Sequence, residues 1–359
     1  MTGLASRIAL LAVLVLSACD DPRPAKPPAG RTVQKVETPK PPAPAALASQ
    51  SPLAQALNAA RFDPNAATPE ARRDVLVRIQ TLLDRAHFSP GVIDGREGTN
   101  LTLAIKAFQT AQRITPDGQV SQALLDALTT ADSGPVLVDY SITAEDVAGP
   151  FTPALPKDDY EAMAALPALN YATPLEMLAE RFHMDEALLQ ALNPGVDFGV
   201  AGTTIVVAAV GSDTLDRKVE RIEIDKTLGQ VRVFDAAGTQ LAVYPATVGS
   251  AERPAPQGEW AVRTLAPRPT YTYDPSRLTF GKAKTKLTIK AGPNNPVGST
   301  WIDLTKDTYG IHGTPDPHLV NKRASHGCVR LTNWDVAELG AAVAKGARVI
   351  FMGQETRAA

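Results

Sequence analysis

At 359 residues, with 44% hydrophobic and 21% charged content, the chain is not a disordered one, and its length suggests two or three folded units. Lys plus Arg total 36 against 38 for Asp plus Glu, a formal charge of -2, so no basic surplus points to nucleic acid as a partner. The two cysteines, Cys19 and Cys328, stand at opposite ends of the chain, which argues against a structural disulfide.

The first element is a targeting segment. Arg7 supplies positive charge, Ile8 to Leu16 an apolar run too short to span a bilayer, and Ser17-Ala18 the small residues before Cys19. Leu16-Ser17-Ala18-Cys19 resembles the bacterial lipobox, which implies removal of residues 1–18 and a diacylglycerol on the Cys19 thiol. The expectation is an exported lipoprotein, anchored to a membrane through Cys19 and facing the periplasm or cell wall. Residues 19–59 are rich in Pro and Ala, including Pro22, Pro24, Pro27, Pro28, Pro39, Pro41, Pro42 and Pro44. Such a stretch cannot form a core and reads as an extended linker, at ~3 Å per residue where polyproline-like.

Residues 60–132 turn helical. Leu76, Ile79 and Leu83 form one stripe, Leu101, Ile105 and Phe108 a second, and Leu124, Leu125 and Leu128 a third, with turn signals at Asp94-Gly95 and Asp117-Gly118. This predicts a small three-helix module. Its Gln80, Leu82-Leu83, Phe88, Pro90-Gly91, Ile93-Asp94-Gly95, Phe108-Gln109 and Asp117-Gly118 resemble the peptidoglycan-binding-domain-1 repeat, which implies wall glycan as a partner.

Residues 133–210 read as a linker followed by a short α/β segment. Two helical patterns, Leu175 to Phe182 and Asp185 to Leu192, precede Asn193-Pro194 and the strand-like Thr204-Ile205-Val206-Val207. The segment resembles the second half of a LysM repeat, with Leu169-Asn170-Tyr171-Ala172 as a poorly matched opening strand. From Val219 the period becomes two, with runs at 230–234, 241–248, 259–263 and 300–304. A mostly β domain over residues 219–352 is expected, with one C-terminal helix. Asn333 can cap that helix, Val336, Leu339 and Val343 form its buried stripe, and a last strand follows at 349–351.

The chemistry concentrates in Ile311-His312-Gly313-Thr314-Pro315 and Ala324-Ser325-His326-Gly327-Cys328-Val329-Arg330-Leu331. A thiol attacks acyl carbon as thiolate, and a neighbouring imidazole both lowers its pKa and can protonate a leaving amine. His312 lies sixteen positions before Cys328 and His326 two before it, so either can be that imidazole. Glycines beside both motifs allow main-chain N–H groups to approach a reacting carbonyl, and the amides of Gly327 and Cys328 are candidates for an oxyanion hole. Arg330 can present its guanidinium to a substrate carboxylate. An inert buried cysteine, or zinc held by His312, His318, His326 and Cys328, are the alternatives, although Pro315 and Pro317 disfavour a helix carrying His312 and His318.

Pro256-Gln257-Gly258-Glu259-Trp260, Gly292 to Gly298, Tyr309-Gly310-Ile311-His312-Gly313 and Ser325 to Leu331 resemble the L,D-transpeptidase catalytic domain, also called YkuD. The resemblance implies that Cys328 is the nucleophile, that His312 moves the proton, and that the Gly313 carbonyl orients the imidazole. It gives Ser325, His326, Gly327 and Arg330 the oxyanion and substrate sites, and it implies no metal or organic cofactor. The partners implied are peptidoglycan stem peptides, joined through a cysteine thioester into cross-links during cell wall biogenesis. A carboxypeptidase, an enzyme attaching an envelope protein to the wall, and a non-catalytic wall-binding lipoprotein are the alternatives.

Overall fold

The computed structural model describes residues 51–66, 68–156, 159–249, 254–276, 281–322 and 327–354. The expectations placed on Cys19, Ser325 and His326, and those on the targeting segment, lie outside them. Among the described residues no helix is long and apolar enough to cross a membrane.

The chain enters through α1 (Pro52–Asn58), so the expected linker of residues 19–59 ends earlier than its composition suggests. Ser51 Oγ accepts from Ala54 N and Pro52 occupies the first turn, a start that needs no donor from the proline. Ala54 and Leu57 are then buried in the core of α2 (Pro69–Arg85), α3 (Thr99–Ala111) and α4 (Gln122–Ala131). Two buried glutamines clip the two Asp-Gly turns of this helical module. Gln80 Oε1 accepts from Gly95 N at 2.8 Å and Gln109 Oε1 accepts from Gly118 N at 2.9 Å. Their Nε2 atoms donate to Asp94 and Asp117.

The expected linker and LysM-like segment, 133–210, is built differently from the reading. Its opening strand is β1 (Leu137–Ser141), not Leu169 to Ala172, and it pairs antiparallel with β2 (Thr204–Ala208), Leu137 opposite Ala208. Between them lie α5 (Ala144–Ala148), α6 (Tyr160–Ala165), α7 (Pro174–Arg181) and α8 (Glu186–Leu192). Asn193 joins helix to strand: its Nδ2 donates to Leu189 O and Val206 O, and its Oδ1 accepts from Val206 N. Apolar residues of the helical module and of β1, α7, α8 and β2 share one continuous core.

The remaining chain is β3 (Val219–Asp225), β4 (Gln230–Phe234), β5 (Gln240–Pro245), β6 (Thr247–Val248), β7 (Gly258–Pro267), β8 (Tyr271–Tyr273), β9 (Leu287–Ile289), β10 (Thr300–Leu304), β11 (Gly310–His312), β12 (Val329–Arg330), α9 (Asn333–Ala342) and β13 (Val343–Met352). Nine strands pair in the order β5-β4-β3-β13-β7-β10-β11-β12-β6, and β8 pairs with β9. β5 and β6 hold opposite ends of that order yet are separated only by Ala246, so the sheet curls until its two edges come together. The ten-residue β7 belongs to both halves. Ile222, Val231, Val262, Ile302, Ile311, Val329, Val336, Leu339 and Val349 fill the space inside. This is the mostly β domain with a C-terminal helix, joined to a helical N-terminal region.

Two details of α9 differ from the reading. Thr332 is its cap, with Oγ1 accepting from Asp335 N at 3.1 Å. The Asn333 side chain is thereby released for other bonds. The helix ends at Ala342, and Val343 starts β13, where it pairs with Val219.

Candidate active site

β11 and β12 run side by side in parallel, Ile311 opposite Val329 and His312 opposite Arg330. Ile311 and Val329 point into the core, and because side chains alternate along a strand, His312 and Arg330 share the other face. Trp301 of β10 is the antiparallel partner of His312, and its ring stacks on the imidazole with centroids 5.4 Å apart. Cys328 immediately precedes β12. Its carbonyl accepts from Gly249 N and its Sγ lies 3.8 Å from Thr308 O. Gly327 has φ +112, a backbone region that favours glycine and directs the following amide.

His312 is 5% exposed, and its Nδ1 lies 2.7 Å from the carbonyl oxygen of Gly313. A carbonyl can only accept, so Nδ1 carries the hydrogen and Nε2 carries the lone pair. Burial and then the Arg330 cation push the imidazole down to about 3, against the opposing Gly313 bond. It is neutral throughout the physiological range. Burial pushes the Cys328 thiol up, opposed by the Gly310 backbone and by Arg330. The expectation was a thiol lowered by a neighbouring imidazole; a neutral imidazole offers no charge to hold a thiolate, and burial acts in the opposite direction.

Burial also lowers Arg330, while Asp316, Cys328 and Tyr160 favour its charge. Its Nε is buried with no hydrogen-bond partner among the described residues. Tyr160 comes from α6, outside the β domain, and stacks on Tyr273 with centroids 4.6 Å apart. Glu180 and Asp316 are among the residues lining a cavity of about 630 Å³ between residues 152–187 and the loop 315–318. His318 sits in a 3₁₀ turn, Pro317–Leu319. Among the described residues no three His, Cys, Asp or Glu side chains are grouped to hold a metal ion.

Helix α9 also reaches residues outside the β domain and Tyr244 of β5. Asn333 Nδ2 donates to Glu180 Oε1 at 3.0 Å, and the Trp334 ring stacks on His183 at 4.8 Å. Ser89 Oγ donates to Asp335 Oδ2 at 3.1 Å. Glu338 meets His87 Nδ1 and the Tyr244 hydroxyl, both at 2.7 Å. Glu180, Trp301 and Tyr160 carry no signal in the sequence; Asn333 does, as a candidate cap of α9, but the cap is its neighbour Thr332.

Residues 219–351 match the L,D-transpeptidase catalytic domain family, and residues 72–128 match a peptidoglycan binding domain family. YkuD of Bacillus licheniformis, which bears an L,D-transpeptidase name, is 31% identical over 179 residues, spanning 49% of this chain and 91% of that protein. YkuD of Bacillus subtilis is 28% identical over 177 residues, again 49% and 91%. YbiS of Escherichia coli is 27% identical over 191 residues, covering 52% of this chain and 62% of its own length. With nearly the whole of the first relative aligned at that identity, this chain belongs to the L,D-transpeptidase family.

Proposed function

We propose that the protein joins peptidoglycan stem peptides by acyl transfer through Cys328, with His312 as the proton acceptor and donor. The observation that carries this reading is the 2.7 Å contact between His312 Nδ1 and Gly313 O, because it leaves Nε2 as a base on the face that His312 shares with Arg330, two residues from Cys328. As Sγ attacks the carbonyl of the third stem residue, its proton passes to Nε2. The oxyanion is received by the amides of Gly327 and Cys328, with His326 and Ser325 completing that site. The C–N bond to the terminal D-alanine breaks, the imidazolium returns the proton to the leaving amine, and a thioester remains.

The side-chain amine of a second stem then attacks the thioester, gives its proton to Nε2, and releases the thiol with a cross-link made. The Arg330 guanidinium suits the donor's terminal carboxylate. Residues 72–128 retain the enzyme on the wall, and a lipid on Cys19 anchors it to a membrane. Incubation with a stem tetrapeptide and intact-protein mass spectrometry tests the reading. A mass increase of one acyl tripeptide is expected on the wild type, and its appearance on Cys328→Ala would contradict the assignment.

A further inference from the structure

The amide of Asn333 is held from three sides. Its Oδ1 accepts from Ser299 N at 2.9 Å, and its Nδ2 donates to Pro293 O at 3.2 Å and to Glu180 Oε1 at 3.0 Å. It is 3% exposed and packs directly on Gly313, where a methyl group in place of the glycine hydrogen would collide with Oδ1. Gly313 N donates to Thr300 O at 3.2 Å and Gly313 O receives His312 Nδ1. The peptide that fixes the imidazole tautomer is thus wedged between β10 and the Asn333 amide.

Of Asn333's three bonds, two are to main-chain atoms of the same domain. Glu180 alone comes from α7, a segment outside the matched catalytic domain. Its Oε1 accepts from Asn333 and also from the Tyr171 hydroxyl at 2.9 Å, so its rotamer is fixed from its own segment before it reaches Asn333. One carboxyl oxygen accepting two donors is held in a single orientation, and an outer partner that orients a catalytic imidazole acts on turnover through geometry.

We propose that Glu180 is a positioning residue for His312, acting through Asn333 and Gly313, so that the middle segment holds the catalytic imidazole in its productive tautomer. This rests on His312 being the base. Loss of Glu180 lets the Asn333 amide turn and the Gly313 carbonyl drift, and His312 then shares its hydrogen between Nδ1 and Nε2.

The test compares Glu180→Ala, Glu180→Gln and Glu180→Asp in the full chain. The Gln amide oxygen still accepts from Asn333, whereas Asp is one methylene too short to reach it without enlarging the hole much. Expected are a fall in kcat of about tenfold for Ala and Asp with KM within about twofold, and recovery to within about threefold for Gln. 15N spectra of the imidazole should show a single Nδ1–H tautomer for wild type and Gln and a mixture for Ala and Asp. Should Ala not fold, Asp decides alone. Wild-type kcat and a single tautomer in Asp, or a Gln variant as impaired as Asp, overturns the proposal. Failure of the underlying reading is separate, since it shows as turnover surviving in His312→Ala.

Discussion

His312 and Arg330 stand directly opposite each other in the parallel β11–β12 register, a fixed cation beside a buried imidazole. Burial and that cation hold His312 down to about 3, so a base of this kind is available at any pH the cell wall meets. Arg330→Gln should raise the His312 pKa, by on the order of one pH unit, because the cation is lost while the burial stays. An NMR titration of labelled imidazole reads this directly. A wild-type His312 titrating near 6.5 would contradict the geometry, as would an unchanged value in the variant.

The same surroundings push the Cys328 thiol up. Alkylation of Cys328 by iodoacetamide should therefore keep accelerating past the pH at which a free cysteine levels off. A plateau near neutral pH would mean a thiolate–imidazolium pair at rest. In His312→Ala this alkylation should change little, while turnover falls by about 10³-fold or more, because the imidazole acts on the thiol during attack rather than before it.

His183 joins the modules. Its Nδ1 lies 3.1 Å from Asp84 Oδ2 and its Nε2 3.4 Å from Asp213 Oδ1. Burial opposes its charge, but Asp84 first, then Asp213 and Asp335, push it up to about 9. The folded value is above the unfolded 6.5, so the stability it contributes is complete below 6.5 and is lost as pH rises through 9. That contribution is roughly 3 kcal/mol at most. Thermal melts should fall between pH 6.5 and 9 in the wild type, and His183→Gln should flatten that slope while lowering stability at pH 6. An equal slope in both proteins would show that His183 is not the group responsible.

Glu180 gives a second window. Burial pushes it up to about 7, against the hydrogen bonds from Asn333 and Tyr171, with Glu176 adding to the rise and His183 opposing it. Its contribution is present below the unfolded value near 4.5 and disappears as pH rises through 7. Relative to wild type, Glu180→Gln should gain stability as pH increases from 5 to 8. A difference in melting temperature that does not vary with pH would contradict this.

The helical stripes of α2, α3 and α4 were legible because a 3.6-residue period needs only local chain, and the site motifs because their chemistry is contiguous. β1 was not legible: its partner β2 begins at Thr204, and four helices intervene, so nothing in the local chain marks Leu137–Ser141 as the opening strand. Thr332 and Asn333 are both good caps, and only the fold shows which oxygen faces the helix amides. Glu180 reads as the polar face of an amphipathic helix, since its bond to Asn333 spans 153 residues. The upward push on the Cys328 thiol is illegible for a related reason, as burial is a property of the assembled site and not of a motif.

Acyl transfer by Cys328 is tested most directly by the products made from stem tetrapeptides in the presence of an amine-bearing acceptor stem. Mass spectrometry should find tetrapeptide–tripeptide dimers joined through two third-position residues with the wild type and none with Cys328→Ala. Tripeptides alone from the wild type, with acceptor abundant, would make the enzyme a carboxypeptidase, and dimers persisting in Cys328→Ala would remove the cysteine from the mechanism.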